Sequence, residues 1–123
     1  SADLLDKSIL EELTAITTPG DANMVREVID LFLDSAPERI GQIEQSTAEP
    51  PKLAFHAHAL KSMSLNLGCK RIVQITEKLE ELGRAGTVQD ALPLVRELET
   101  AFAQTKLQLI SVRDGREAAP AQT

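Results

Sequence analysis

Apolar residues recur at steps of three and four along most of the chain, which is the spacing that places them on one face of an α-helix. This pattern predicts five helical segments and no β-strand. The first is short and runs from about Asp6, as N-cap, to Ile16, after which the sequence TTPGD interrupts the pattern. Because so short a helix is not stable in isolation, we expect it to pack across the others.

The second segment is long, and its apolar phase continues unchanged past Pro37. We therefore predict one helix, capped by Asp21 and bent at the proline, rather than two separate helices. The sequence AEPP ends this segment. Its buried face is expected to consist of Val25, Ile29, Phe32, Ala36, Ile40 and Ile43.

The third and fourth segments are predicted to form a helical hairpin. The third has Pro51 in its first turn, where proline is tolerated, and ends with Gly68 as its stop. The fourth covers about residues 70–84, and the sequence GRAGT, which starts at Gly83, stops it. Cys69 lies in the turn between them and is expected to pack there.

The fifth segment contains Pro93, which costs about 3 kcal/mol when it lies well inside a helix. We therefore expect the helix either to begin near Leu92 or to be kinked there, with Thr87 as a candidate N-cap. The polar sequence DGREAAPAQT predicts a disordered tail over residues 114–123. The fold class is all-α: an antiparallel four-helix bundle over residues 1–113, with the additional short N-terminal helix packed across it.

Composition narrows the classes of function. The formal net charge is −6 and no cluster of lysines and arginines is present, so nucleic acid is not an expected partner. Aromatic residues make up 2% of the chain, which also argues against base stacking. No apolar run approaches the ~20 residues that span a bilayer, so no membrane association is expected. A single cysteine excludes an internal disulfide and favours a reducing, cytoplasmic location.

Both histidines of the chain lie in the third segment, two residues apart. On a helical wheel, His56 falls about 60° from the apolar direction and His58 roughly 140° from it. We therefore expect His56 to be half-buried against a neighbouring helix and bonded to a polar group there, and His58 to face solvent. The pair is not expected to bind a metal, because residues two apart point to opposite sides of a helix and no further ligand cluster is present.

The surroundings of His58 leave two interpretations open. It is either an ordinary solvated histidine or a functional group. Lys61 lies one turn away and places an ammonium beside the ring, while the small Ser62 leaves the ring uncovered. Phe55 and Leu65 are apolar residues on the same exposed face, which is typical of a docking surface.

The sequence AHALKSMSLNLGC, residues 57–69, resembles the signature of the histidine-containing phosphotransfer (HPt) family. That signature has a phospho-accepting histidine, a lysine three residues on, small residues, and a Leu-Gly stop. The resemblance implies that His58 is the phospho-acceptor and Lys61 its electrostatic partner. Ser62 stands where the family most often has glycine. The resemblance extends over most of the chain, through GDANMVREVIDLFLDSAPERIGQIEQ (20–45), KLEELGRAG (78–86) and LVRELETAF (94–102).

Imidazole suits a reversible phosphoryl carrier because the neutral ring has one nitrogen with a free lone pair. We expect Nε2 to be the nucleophile and Nδ1 to carry the proton. In an antiparallel hairpin that turns near residues 67–69, facing residues have numbers that sum to about 138. This places His58 opposite Glu80, which we expect to accept the Nδ1 proton, and Lys61 opposite Glu77. Arg84 lies one turn beyond Glu80, and the alternative is that these three residues form a solvated face.

The resemblance also implies partners and a reaction. His58 would accept a phosphoryl group from an aspartate of a response-regulator receiver domain and pass it to another receiver aspartate in a two-component phosphorelay. The expected partners are receiver domains and a hybrid histidine kinase. The residues expected to contact them are Phe55, Ser62, Leu65 and Arg84. We expect no cofactor on this chain, since Mg²⁺ would be bound by the receiver, and no ATP site, because no glycine-rich loop is present.

Three other interpretations remain at this point. The chain could be a non-phosphorylated interaction module that docks a partner through the Phe55 and Leu65 face. It could be an enzyme, such as a phosphohistidine phosphatase or a kinase, although no second set of catalytic groups or nucleotide motif is visible. It could also be a carboxy-terminal phosphotransfer domain cut from a hybrid sensor kinase, since the sequence does not begin with methionine. We expect a monomer.

Overall fold

The structure is a computed structural model of the 123-residue chain, and it describes residues 4–6, 8, 9, 11 and 22–115. Four helices occupy most of this part: α1 (Ala22–Gln45), α2 (Pro50–Asn66), α3 (Lys70–Ala85) and α4 (Ala91–Arg113). The described residues contain no strand, so the all-α prediction is confirmed. The predicted cap at position 21, most of the predicted 6–16 helix and the tail after residue 115 lie outside the described residues.

The helices form an antiparallel bundle in which α1 packs on α2 and α4, and α3 packs on the same two helices. Ion pairs at both ends of the contact between α1 and α4 show that these two helices run antiparallel. Arg113, at the end of α4, pairs with Asp30 near the start of α1 at 2.9 Å. Arg96, near the start of α4, pairs with Glu44 at the end of α1 at 3.1 Å. The four-helix bundle expected from the short connections is therefore present.

The core is built from the apolar stripes that the sequence pattern indicates. The rings of Phe32 and Phe102 lie 6.1 Å apart in a tilted arrangement, which joins α1 to α4. Cys69 is fully buried in the α2–α3 turn, and burial raises the pKa of its thiol to about 12, so it packs as an apolar residue. Large side chains without solvent contact come from every helix: Ile29, Ile43, Leu53, Leu60, Ile72, Leu79, Leu98 and Leu109.

Two prolines lie inside helices for different reasons. Helix α1 continues through Pro37, as predicted, with buried Ala36 and Ile40 holding both sides against the core. Pro93 is the third residue of α4, whose N-cap position is Asp90. The first four N–H groups of a helix have no partner within it, so proline loses no hydrogen bond there. The helix therefore begins near Leu92, as one of the two predicted alternatives has it, whereas the candidate cap at Thr87 is wrong.

The prediction that the sequence GRAGT ends this helix is confirmed, and Gly86 is the residue of that sequence at which it ends. Helix α3 continues to Ala85 and ends at Gly86, which has a left-handed backbone with φ of 77°. Gly83 instead faces α2, where a Cβ atom would lie 2.7 Å from the backbone nitrogen of Ala54 and from the carbonyl oxygen of Pro50. The missing side chain lets α2 and α3 approach closely, one turn from Glu80.

Candidate functional site

The outer face of α2 presents His58 to solvent, with 57% of its side chain exposed. Phe55 and Leu65 are exposed on the same face, and so is the small Ser62. The opposite face of the helix is buried, including Ser64, whose hydroxyl donates to the carbonyl oxygen of Leu60 at 2.8 Å. The exposure of His58 therefore follows from the phase of the apolar pattern along α2.

Glu80 of α3 lies beneath His58 and is almost fully buried, with 2% of its side chain exposed. Its Oε2 atom is 2.9 Å from Nδ1 of His58. The ammonium of Lys61 is 2.8 Å from Oε1, and the guanidinium of Arg84 is 2.5 Å from Oε2. One carboxylate thus brings together three of the side chains singled out from the sequence.

Lys61 was expected to lie opposite Glu77, but its ammonium pairs with a different glutamate. Glu77 is exposed, and Lys61 pairs with Glu80 instead. The long lysine side chain spans the difference of three residues, less than one helical turn, between the two glutamates. Burial of the glutamate favours this choice, because an ion pair there is less screened by water than one at the surface.

Charge and burial act in opposite directions on Glu80. Burial raises the pKa of its carboxyl group, but the close contacts from Lys61 and His58 and the positive charge of Arg84 outweigh that effect and hold the pKa below its ordinary value. The group is therefore a carboxylate at neutral pH. A carboxylate only accepts hydrogen bonds, so Nδ1 of His58 carries the proton and donates it. In the neutral ring the lone pair then lies on Nε2.

His56 is half-buried, as expected, and its Nδ1 accepts a hydrogen bond from Nη1 of Arg39 on α1 at 2.9 Å. The ring of Phe55 meets that of His56 edge-on, with centroids 5.3 Å apart. Sequence reasoning did not identify Arg39. The sequence signal for Arg39 was its position immediately before Ile40, which is buried. A residue next to a buried one on a helix lies at the border with the neighbouring helix.

The described part of the chain contains neither a metal-binding cluster nor a membrane-spanning helix. Among residues 4–6, 8, 9, 11 and 22–115, no group of three or more histidine, cysteine, aspartate or glutamate side chains could hold a metal ion. Over the same residues, no helix has both the length and the apolar character needed to cross a membrane.

Comparison with known proteins gives a consistent result. The family model described as the Hpt domain matches residues 27–108, which include His58, Lys61 and Glu80. The crystal structure of histidine-containing phosphotransfer protein B (HptB) from Pseudomonas aeruginosa PAO1 matches with a TM-score of 0.83 and 25% identity, covering 95% of this chain and 100% of that one. No curated protein sequence matched. The chain belongs to the Hpt domain family and has a histidine phosphotransfer role in phosphorelay signalling.

Proposed function

We propose that His58 is the phospho-acceptor, and that it takes the phosphoryl group on Nε2 from an aspartate of a receiver domain and passes it to an aspartate of another. The observation that supports this most directly is an exposed imidazole whose Nδ1 contacts a buried carboxylate at 2.9 Å. His56, the other histidine of the chain, is half-buried with its Nδ1 engaged by Arg39.

The transfer step follows from this proton arrangement. The Nε2 lone pair of His58 bonds to phosphorus as the bond between phosphorus and the aspartyl oxygen breaks, and the aspartate leaves as a carboxylate. The ring keeps its proton on Nδ1 and becomes positively charged. The negative charge of Glu80 offsets that charge at hydrogen-bonding distance. The reverse step returns the phosphoryl group to a second aspartate through the same atoms.

Lys61 is the residue we propose to stabilise the charge of the phosphoryl oxygens. Its ammonium rests on Glu80 at one turn from His58, and 21% of its side chain is exposed, so a small rotation carries it toward the ring. Two unit charges about 4 Å apart attract by about 4 kcal/mol at an effective dielectric near 20, before desolvation is subtracted. An attraction of this kind favours the phosphorylated state.

The exposed face around His58 is the surface we propose for docking. Phe55, Leu65 and the exposed guanidinium of Arg84 provide two apolar contacts and one cation, and Ser62 leaves clearance for the incoming aspartate. We expect receiver domains and a hybrid histidine kinase as partners, with Mg²⁺ bound by the receiver. We also expect a cytoplasmic monomer without an ATP site, acting as a phosphocarrier and not as a kinase. Residues 1–113 would be its folded domain and 114–123 a disordered tail.

Transfer from a radiolabelled phosphorylated receiver tests the proposal. The wild-type protein should gain acid-labile, base-stable label as the receiver loses it, and His58→Gln should gain none. The matched control is His56→Gln, which should still accept the label. Uptake by the His58→Gln variant would disprove the assignment. A wild-type protein that binds the receiver but never becomes labelled would support a docking module without phosphorylation.

A further inference from the structure

The two histidines of the chain differ in the group that contacts Nδ1, and therefore in the ring nitrogen that carries the proton. His58 has Nδ1 against a carboxylate, and His56 has Nδ1 against a guanidinium, each at 2.9 Å. A carboxylate can only accept a hydrogen bond, whereas a guanidinium can only donate one. His58 must therefore be protonated on Nδ1, and His56 must use the Nδ1 lone pair as an acceptor, which leaves its ring proton on Nε2.

Burial and the charges that face His56 both disfavour protonation of its ring. Arg39 approaches from α1, and Lys52 lies one turn earlier on α2. Burial, followed by the positive charges of Arg39 and Lys52, lowers the pKa of His56 below its ordinary value. A neutral ring has one lone pair, and in His56 that lone pair is already used.

We propose that Arg39 is a specificity-determining residue for phosphotransfer. By occupying the lone pair of His56, Arg39 leaves His58 as the histidine that reacts. This inference rests on the proposed function of His58. Phosphorylation of His56 on Nε2 would require the proton to move to Nδ1, where its N–H would point at the N–H of Arg39. Two donors facing each other lose a hydrogen bond and disfavour that tautomer.

Proximity alone does not separate the two histidines. They lie two residues apart on α2, and the exposed ring of Phe55 contacts His56 edge-on. A partner that docks on Phe55 therefore comes close to both imidazoles. If the two histidines differ in which ring nitrogen carries the proton, a partner can phosphorylate one and not the other even when both lie equally close to it.

Nitrogen NMR of the two imidazoles, recorded well above the ordinary histidine pKa of about 6.5, tests the tautomers directly. The wild type should show His58 protonated on Nδ1 and His56 protonated on Nε2. Arg39→Met should shift His56 toward a mixture of tautomers and leave His58 unchanged, while Arg39→Lys, which still donates, should retain the wild-type pattern. Arg96→Met, which removes an arginine that contacts Glu44 and Glu99, is the control.

Labelling with phosphoramidate, a small donor that needs no docking surface, tests the consequence. The Nε2 lone pair bonds to phosphorus as the P–N bond of phosphoramidate breaks; the amino group of the donor is already protonated, so it leaves as ammonia, and the ring keeps its Nδ1 proton. In the His58→Gln background, label on His56 should rise on the order of tenfold when Arg39 becomes Met, which corresponds to about 1.4 kcal/mol, the net contribution of one hydrogen bond. Circular dichroism establishes that the double variant folds.

The outcomes separate this inference from the proposed function. A wild-type His56 protonated on Nδ1, strong labelling of His56 in the His58→Gln variant, or no gain in the double variant would each overturn the role of Arg39. Absence of label on His58 in the wild type, together with the expected His56 tautomer, would instead overturn the proposed function.

Discussion

Glu80 combines near-complete burial with three charged or polar partners. A buried carboxylate is costly unless its charge is paired, and here Lys61, Arg84 and His58 supply the pairing from two helices. The same group that contacts the imidazole therefore also links α2 to α3. Its effect on stability should depend on pH, since it contributes through its ionised form.

Glu80→Gln tests that dependence. A carboxyl group whose pKa is lowered by folding stabilises the protein above its ordinary pKa of 4.5, and this contribution is lost as the pH falls through the lower folded value. We expect the variant to lose about 1–3 kcal/mol of unfolding free energy at neutral pH, because its cations lose their counter-charge. The loss should shrink below the ordinary pKa.

Urea denaturation across this pH range provides the measurement. Glu77→Gln is the matched control, because Glu77 lies on the same helix and is exposed, so its replacement should change the free energy of unfolding little. A difference between Glu80→Gln and wild type that stays constant down to pH 3 would show that the charge of Glu80 is not responsible.

Residue contacts were predictable where a short turn fixes the helix register. The tight turn at Gly68 made the α2–α3 alignment calculable, so the sequence indicated the proximity of His58 and Glu80. The same alignment places Lys61 opposite Glu77, yet its ammonium contacts Glu80, because an alignment of backbones does not fix where a long side chain ends. Contact between Arg39 and His56 depends on the α1–α2 register, which the longer connection between those helices leaves undetermined.

At the scale of helices, the close approach of α2 and α3 depends on Gly83. A Cβ there would meet backbone atoms of Ala54 and Pro50 at 2.7 Å, and backbone atoms cannot move aside without displacing a helix. Gly83 lies one turn from Glu80, and Ala54 lies one turn from His58. The geometry between imidazole and carboxylate is therefore tied to this contact.

Gly83→Ala should consequently destabilise the protein even though alanine favours helix. Overpacking of this kind costs about 1–3 kcal/mol, which exceeds the gain of roughly 1 kcal/mol in helix propensity. Gly41→Ala is the control, since no atom lies within 4 Å of a Cβ at that position in α1, and it should stabilise by about 0.5–1 kcal/mol. Chemical denaturation of both variants checks the prediction, and a more stable Gly83→Ala protein would contradict it.

The helices themselves were largely predictable, and their ends were less so. Apolar periodicity placed all four helices of the described region and the continuity of α1 through Pro37. The start of α4 near Leu92 and the end of α3 within GRAGT were predicted, but the N-cap of α4 was assigned to Thr87, a residue type that commonly caps helices, and not to Asp90. Whether a glycine ends a helix or accommodates a neighbouring one depends on packing, which local sequence does not specify.

At the scale of the molecule, the bundle holds the site by keeping α2 between α1 and α3. One neighbour supplies Glu80 to His58, and the other supplies Arg39 to His56. The same helix thus presents two imidazoles in opposite tautomers because its two flanks meet opposite charges. Amphipathic pattern and short connections predicted this architecture, whereas the assignment of charges to each flank required the packed structure.

The most direct test of the account is the identity of the nitrogen that carries phosphorus after transfer from a phosphorylated receiver. Phosphorus–nitrogen correlation NMR of the phosphorylated, nitrogen-15-labelled protein distinguishes the two isomers of phosphohistidine. The account predicts phosphorus on Nε2 of His58, with Nδ1 still protonated against Glu80. Phosphorus on Nδ1 of His58, or on His56 or any other residue, would contradict it.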